Sequence, residues 1–316
     1  MQYNRVGKSG LVVSSASLGS WLTYGDGVSS DKGIDIVKKA YEQGITSFDT
    51  ANVYNLGAAE LVLGKALKDI PRTKIVVASK VYWPVGDGMN EKGLNRKTVI
   101  EQTHASLKRL DMDYLDILYC HRYDPDTPLL ETLRAIDDLI RQGKVLYYGV
   151  SEWTAKQIAE SIHISDKYLL DHMIVSQPSY HLLNRYIEKE VLPTCDEYGI
   201  GQMVFSPLAQ GMLTGKYLRN QPVPKGSRAD TKQGRLLRER YMTDEIYSQL
   251  EAFKSVSDDY GIPMHHLALA WINKNPSISS IILGASSNEQ VLDNLKAFDI
   301  QLTEECIERI EAIFPV

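Results

Sequence analysis

Four side chains hold most of the chemistry this sequence could perform. Asp49 and Tyr54 lie in FDTANVYNLGAAELVLGKAL (48–67), Lys80 follows the apolar run IVVAS, and His121 follows LDILYC. Taken singly, each has a plain structural reading: a turn or helix-cap aspartate, a solvated strand end, a hydrogen-bonded core histidine. Together they make a proton-transfer set. A phenol with a pKa near about 10 is a poor proton donor or acceptor at neutral pH unless its surroundings assist it. A neighbouring ammonium favours the phenolate and lowers that pKa. A carboxylate holds the ammonium charged and oriented, and an imidazole can hydrogen-bond a substrate oxygen. The set suits protonation of a carbonyl oxygen as hydride arrives at its carbon.

Such a set works only if the chain gathers its members, and the pattern of elements supplies the means. Apolar runs at 15–19, 46–50, 74–79, 115–120, 145–150, 173–177, 202–206 and 279–284 read as strands. Most are continuously apolar rather than alternating, as expected of parallel strands buried on both faces. Helical patterns lie between them. In LLETLRAIDDLIRQG, Leu129, Leu133, Ile136 and Ile140 recur at three and four with Gly143 as the stop signal, and 96–110, 244–261 and 287–298 behave alike. Eight strand–helix units make an α/β fold, a (β/α)8 TIM barrel, whose chemistry sits at the C-terminal strand ends. All four residues fall there. The rival is a doubly wound sheet, which would carry GxGxxG after its first strand, where this chain has LGSWLTYGDG. Residues 3–14 read as a β-hairpin ahead of the barrel. Long loops after strand three (81–95) and strand seven (207–242) have the length of functional lids or clamps. With no repeat or low-complexity linker, residues 1–316 are expected to form one domain.

Composition narrows the function classes. The 316 residues carry a formal net charge of −5 without a strongly basic block, so nucleic acid and anionic membrane surfaces are not expected partners. No apolar run approaches the roughly 18 residues of a membrane span, and the N-terminus has no secretory apolar region. Direct membrane insertion is therefore not expected, and a cytoplasmic location is. Cys120, Cys195 and Cys306 lack CxxC spacing, which argues against a disulfide framework or a zinc site. Neighbours on a helix do not face one ligand, so His265 and His266, at a helix start after Pro263, are not expected to share one. RLLRER (235–240) reads as a solvated loop face.

At these residues the sequence closely resembles the aldo-keto reductase superfamily and, within it, the branch that includes the voltage-gated potassium channel β subunits. The likeness is carried by FDTANVYNLGAAELVLGKAL, ASKV, LDILYCHRYDP, GKVLYYGVSEW, FSPLAQGMLTGKY and ILGASSNEQVLDNL, in the family's order across nearly the whole chain. It implies that Asp49, Tyr54, Lys80 and His121 are the catalytic tetrad, with Tyr54 as general acid/base in NADPH-dependent reduction of aldehydes and ketones. Hydride chemistry needs a nicotinamide, because no side chain supplies hydride. The matching cofactor positions are Ser20 and Trp21, Asp49 again, and Ser151 and Gln177 for the carboxamide. Phe205 would stack on the ring, core packing being its other reading. Ser206, Pro207, Leu208 and Gly211, with Lys216, would hold the pyrophosphate. Gly284, Ser286, Gln290 and Asn294 would take the adenosine end, Gln290 and Asn294 sharing one helix face. Arg228 matches a clamp on the 2′-phosphate, and a guanidinium fork suits phosphate, so NADP(H) is favoured over NAD(H).

Two departures mark the choice of function. The channel subunits carry asparagine at the position of His121 and arginine at that of Glu152. The histidine favours ordinary reductase chemistry over the alternative, a cofactor-binding regulatory subunit of a membrane channel with little turnover. The lack of an extension before Tyr3 is expected to point the same way. A Schiff-base enzyme using Lys80 is a second rival, but a lysine paired to Asp49 stays charged and is a poor nucleophile. The expected substrate is a small-molecule carbonyl compound. Trp83 and Trp153 near the rim suggest an apolar or aryl aldehyde, and the branch is compatible with a homo-oligomer.

Overall fold

The antiparallel pair β1 (Tyr3–Arg5) and β2 (Val12–Ser14) opens the chain, and eight parallel strands follow it. These are β3 (Ala16–Gly19), β4 (Ser47–Asp49), β5 (Val76–Val81), β6 (Leu115–Cys120), β7 (Val145–Ser151), β8 (Val175–Gln177), β9 (Gly201–Val204) and β10 (Ile278–Leu283). In this computed structural model they close in sequence order, β10 pairing back onto β3, into the expected barrel. The structure describes residues 1–21, 29–231 and 234–316, so most of LGSWLTYGDG and two residues of the loop 207–242 lie outside the described residues.

The helices form the outer layer: α1 (Ser30–Glu42), α2 (Ala58–Leu67), α3 (Arg96–Leu110), α4 (Leu129–Arg141), α5 (Ala155–Tyr168) and α6 (Val191–Tyr198). The long segment after β9 carries α7 (Arg235–Tyr241), α8 (Asp244–Tyr260) and α9 (Met264–Lys274), and α10 (Asn288–Leu295) and α11 (Glu304–Ile313) end the chain. Local chemistry sets their limits. The Asn95 side chain accepts from the Thr98 amide to start α3, and Asp111 in the left-handed region ends it. Thr154 and Gln157 form a capping box at α5. Leu133, Ile136 and Leu139 make the buried stripe by which α4 packs.

The strand period of two sorts the barrel interior. Val76 and Ala78, Ile117 and Tyr119, Val175, Met203 and Ile282 form one buried cluster, which also takes in Val6 and Val13 of the hairpin. The remaining core lies between strands and helices. Val6 and Val13 are fully buried, the Asn4 amide nitrogen donates to the Ser279 carbonyl oxygen at 3.1 Å, and the Lys8 amide donates to Gly199 at 2.8 Å. The hairpin thus stoppers the N-terminal end of the barrel. Continuing each interior row by two residues leads from Ala78 to Lys80, from Tyr119 to His121 and from Val175 to Gln177. Apolar rows below and polar side chains above leave the C-terminal mouth as the place for chemistry. Cys120, Cys195 and Cys306 are buried free thiols.

Candidate active site

Strand register assembles the centre. Asp49 ends β4 beside Ala78 of β5, and Lys80 on β5 lies beside Tyr119 of β6. The fully buried Lys80 donates from Nζ to Asp49 Oδ1 and, at 2.8 Å, to the Thr50 carbonyl oxygen. Gln177 Nε2 donates to the other carboxylate oxygen of Asp49 at 2.9 Å, and Ser151 Oγ donates to the Gln177 carbonyl oxygen at 2.8 Å. Lys80 Nζ is 4.9 Å from the Tyr54 ring centroid, and the Tyr54 and His121 rings meet edge to face at 5.8 Å. All four residues that the sequence singles out therefore converge, with Ser151 and Gln177 beside them.

Tyr54 owes its position to an unusual turn. It opens a 3₁₀ turn, Tyr54–Gly57, in which Asn55, Leu56 and Gly57 all have positive φ (47°, 50° and 89°). Glycine occupies this region freely, asparagine tolerates it, and leucine does so at a cost of about 1–2 kcal/mol. A Cβ on Gly57 would come within 2.7 Å of Arg109 Cδ. Arg109 is in turn held by the buried Glu60 carboxylate, which also accepts from Ser79, the residue before Lys80. Surrounding structure thus fixes a strained turn beside the phenol, a pattern common at functional sites.

The electrostatics correct one expectation. The Tyr54 pKa is raised, not lowered: burial of the phenol dominates, and the Lys80 ammonium only partly opposes it. For Lys80, burial works against the charge, but the Asp49 carboxylate and Tyr54 outweigh it and the pKa rises. Burial, then the charges of Lys80 and Arg122, hold the His121 pKa well below its usual value. The imidazole is therefore neutral at pH 7, and its buried Nδ1 has no partner among the described residues. Such an arrangement can deliver a proton from the phenol while the ammonium stabilises the anion left behind.

The other positions from the sequence fall in smaller groups. The Ser20 amide donates to the Asp49 carbonyl oxygen at 2.9 Å, and Ser20 Oγ donates to Thr50 Oγ1 at 2.8 Å. The Arg228 guanidinium lies 5.4 Å from the Trp21 ring centroid, joining the loop after β3 to the loop after β9. Half-buried Phe205 packs on the barrel interior. Ser206, Pro207, Leu208 and Gly211 form tight turns that use the Ala209 and Gly211 amides, and a Cβ on Gly211 would lie 2.9 Å from Lys216 Nζ. Beyond the exposed Gly284, the Gln290 side-chain oxygen accepts from the Ser286 amide and hydroxyl at 2.8 and 3.1 Å. Gln290 is exposed but Asn294 is buried, so the two are not equivalent on one face.

Trp153, two residues past the end of β7, is buried against Tyr123, ring centroids 5.0 Å apart, whereas Trp83 is 40 % exposed and 6.4 Å from the His121 ring. The adjacent histidines reach different groups of one residue. His265 Nε2 is 2.8 Å from Asp293 Oδ2 and His266 Nε2 is 2.8 Å from the Asp293 carbonyl oxygen, because Asp293 of α10 offers both groups to the start of α9. Arg122, directly after His121, is a site residue that the sequence reading missed. Its Nη1 reaches the His121 carbonyl oxygen and Ser151 Oγ.

Residues 16–314 match the Aldo/keto reductase family. The chain belongs to the aldo/keto reductase family. Relatives of this family member include a "Probable voltage-gated potassium channel subunit beta" from Arabidopsis thaliana, 41% identical over 99% of this chain and 96% of the relative. One of the same description from Oryza sativa subsp. japonica is 40% identical with the same coverage. A "Putative voltage-gated potassium channel subunit beta" from Schizosaccharomyces pombe is 42% identical over 98% of this chain and 92% of that protein. The branch suggested by the sequence motifs is thus borne out. Among the described residues, no helix is long and apolar enough to cross a membrane.

Proposed function

We propose that this aldo/keto reductase family member reduces small-molecule aldehydes and ketones at the C-terminal mouth of the barrel, with NADPH as reductant. The observation that carries the reading is the buried Lys80–Asp49 pair, with the Lys80 ammonium 4.9 Å from the Tyr54 ring. The residues present fit the cofactor. Gln177 and Ser151 offer polar groups to a carboxamide, Phe205 a half-buried ring, and Arg228 a half-buried guanidinium without an ion-pair partner among the described residues. NADPH, when bound, supplies the hydride.

The side chains account for the proton. Burial keeps Tyr54 protonated at rest, so the proton is in place before reduction. Lys80, held charged by Asp49, favours the phenolate that forms as Tyr54 gives its proton to the carbonyl oxygen. His121, neutral and without a partner for its ring nitrogens among the described residues, can donate one hydrogen bond to that oxygen and set its angle. Loss of Tyr54→Phe turnover by about 10²–10⁴, with NADPH affinity nearly intact, is the expected result when aldehydes are added and the loss of nicotinamide absorbance is followed. Wild-type turnover by the variant would refute the assignment.

The names of the relatives favour a second reading, a cofactor-binding subunit that docks on a channel. His121, where the resemblance gives channel subunits asparagine, supports the reductase instead. The same assay separates the two, since a purely regulatory subunit would consume no NADPH. Three buried free cysteines support a cytoplasmic location.

A further inference from the structure

The reaction described above leaves Arg122 without a task. Its Nη1 donates to the His121 carbonyl oxygen and, at 3.3 Å, to Ser151 Oγ; its guanidinium carbon lies 5.8 Å from the Trp83 ring centroid. Its charge is felt by both Tyr54 and His121. These contacts put it beside the tetrad and against the exposed Trp83. An arginine has five N–H donors, and both contacts use Nη1, so Nε and Nη2 stay available.

What sets Arg122 apart is the lack of an acid. Among the described half-buried or buried arginines, Arg72 pairs with Asp116, Arg109 with Glu60, Arg185 with Glu188, Arg219 with Asp244 and Arg309 with Asp259. Arg228 pairs with none, and a cofactor phosphate has been proposed for it. Arg122 also pairs with none. The nearby Glu152 carboxylate accepts from the Ser179 amide and makes no ion pair with Arg122, although both charges reach Tyr186. Lys80 is neutralised by Asp49, and His121 and Tyr54 are uncharged, so among the described residues around the tetrad Arg122 is the cation without an ion pair. A partly desolvated charge is costly without a partner.

We propose that Arg122 is an anion subsite and that the preferred substrates carry a carboxylate on an apolar or aryl body lying against Trp83, the carbonyl reaching Tyr54. This rests on the reductase reading above. A carboxylate matches the free edge of the guanidinium with two parallel hydrogen bonds, and its single charge balances the one left over. A phosphate ester brings about −1.5 to −2, more than this wall neutralises.

The test compares 4-carboxybenzaldehyde with benzaldehyde, using NADPH, in the wild type, Arg122→Gln and Arg122→Lys. The wild type should favour the carboxylate about ten- to a hundredfold in kcat/KM, mostly through KM. Arg122→Gln should bring the ratio near one, and Arg122→Lys, which keeps the charge but not the fork, should fall between. Should the glutamine variant not fold, the lysine variant decides by itself: a ratio cut several-fold supports the subsite, and an unchanged ratio overturns it. Equal wild-type values, or a preference that survives Arg122→Gln, also overturn it. If neither aldehyde is reduced, the reductase reading fails on its own account. Benzoate and benzamide titrations followed by tryptophan fluorescence then decide. Saturable benzoate binding that the substitution removes upholds the anion subsite, and no difference between the two ligands overturns it.

Discussion

Lys80→Met tests the electrostatic core of the site. The ammonium is 4.9 Å from the Tyr54 ring, and at an effective dielectric constant of about 20 a unit charge at that distance contributes about 3 kcal/mol. The direction is fixed by the structure. Burial already raises the Tyr54 pKa, Lys80 opposes that rise and Asp49 adds to it, so removing Lys80 moves the pKa further up. Alcohol oxidation needs the phenolate as proton acceptor, and its rate should climb with pH as Tyr54 deprotonates. In the variant that limb should move to more alkaline pH. The assay is the pH profile of NADP⁺ reduction with a benzylic alcohol, on protein whose melting temperature is measured in parallel. The parallel measurement matters because removing one partner of a buried pair costs about 3–5 kcal/mol of stability. A folded Lys80→Met protein with an unmoved limb would refute the argument that Lys80 tunes Tyr54.

Two other outcomes are expected. Arg228→Ala should remove most of a preference for NADPH over NADH, about ten- to a hundredfold in affinity, and equal titration curves in the parent protein would rule the phosphate clamp out. His121→Asn should keep the fold and NADPH binding yet lower kcat on simple aldehydes about 10²-fold, because a shorter arm misplaces the carbonyl oxygen by about 1 Å. A destabilised variant with unaltered single-turnover hydride transfer would remove His121 from the site.

The barrel was legible because burial on both faces leaves strands that are continuously apolar, and because helix signals are local. The segment 96–110 forms α3 over the same residues, with its cap at Asn95. The convergence of Asp49, Lys80 and His121 could be read from their shared place at strand ends, since register and a period of two do the rest. Properties set by packing were hidden. The direction of the Tyr54 pKa depends on how tightly the phenol is enclosed, and the burial of Trp153 depends on the path of a loop. Of three consecutive left-handed residues at 55–57, only Gly57 announces itself in sequence. Arg122 escaped notice because a cation just past a strand end ordinarily reads as solvated. Its lack of an acid partner is visible only once every other described half-buried or buried arginine except Arg228 is seen to have found one.

The hairpin has a consequence for traffic. With Val6 and Val13 sealing one end and Tyr119 across the interior, the barrel is a vessel with a single mouth. Ser151 and Gln177 are buried at that mouth, where β7 and β8 end, while Leu56 and Trp83 stand exposed. On the proposed function, a cofactor held against Ser151 and Gln177 would enter before the substrate and leave after it, and its residence time would set a ceiling on throughput that no improvement in proton transfer could lift.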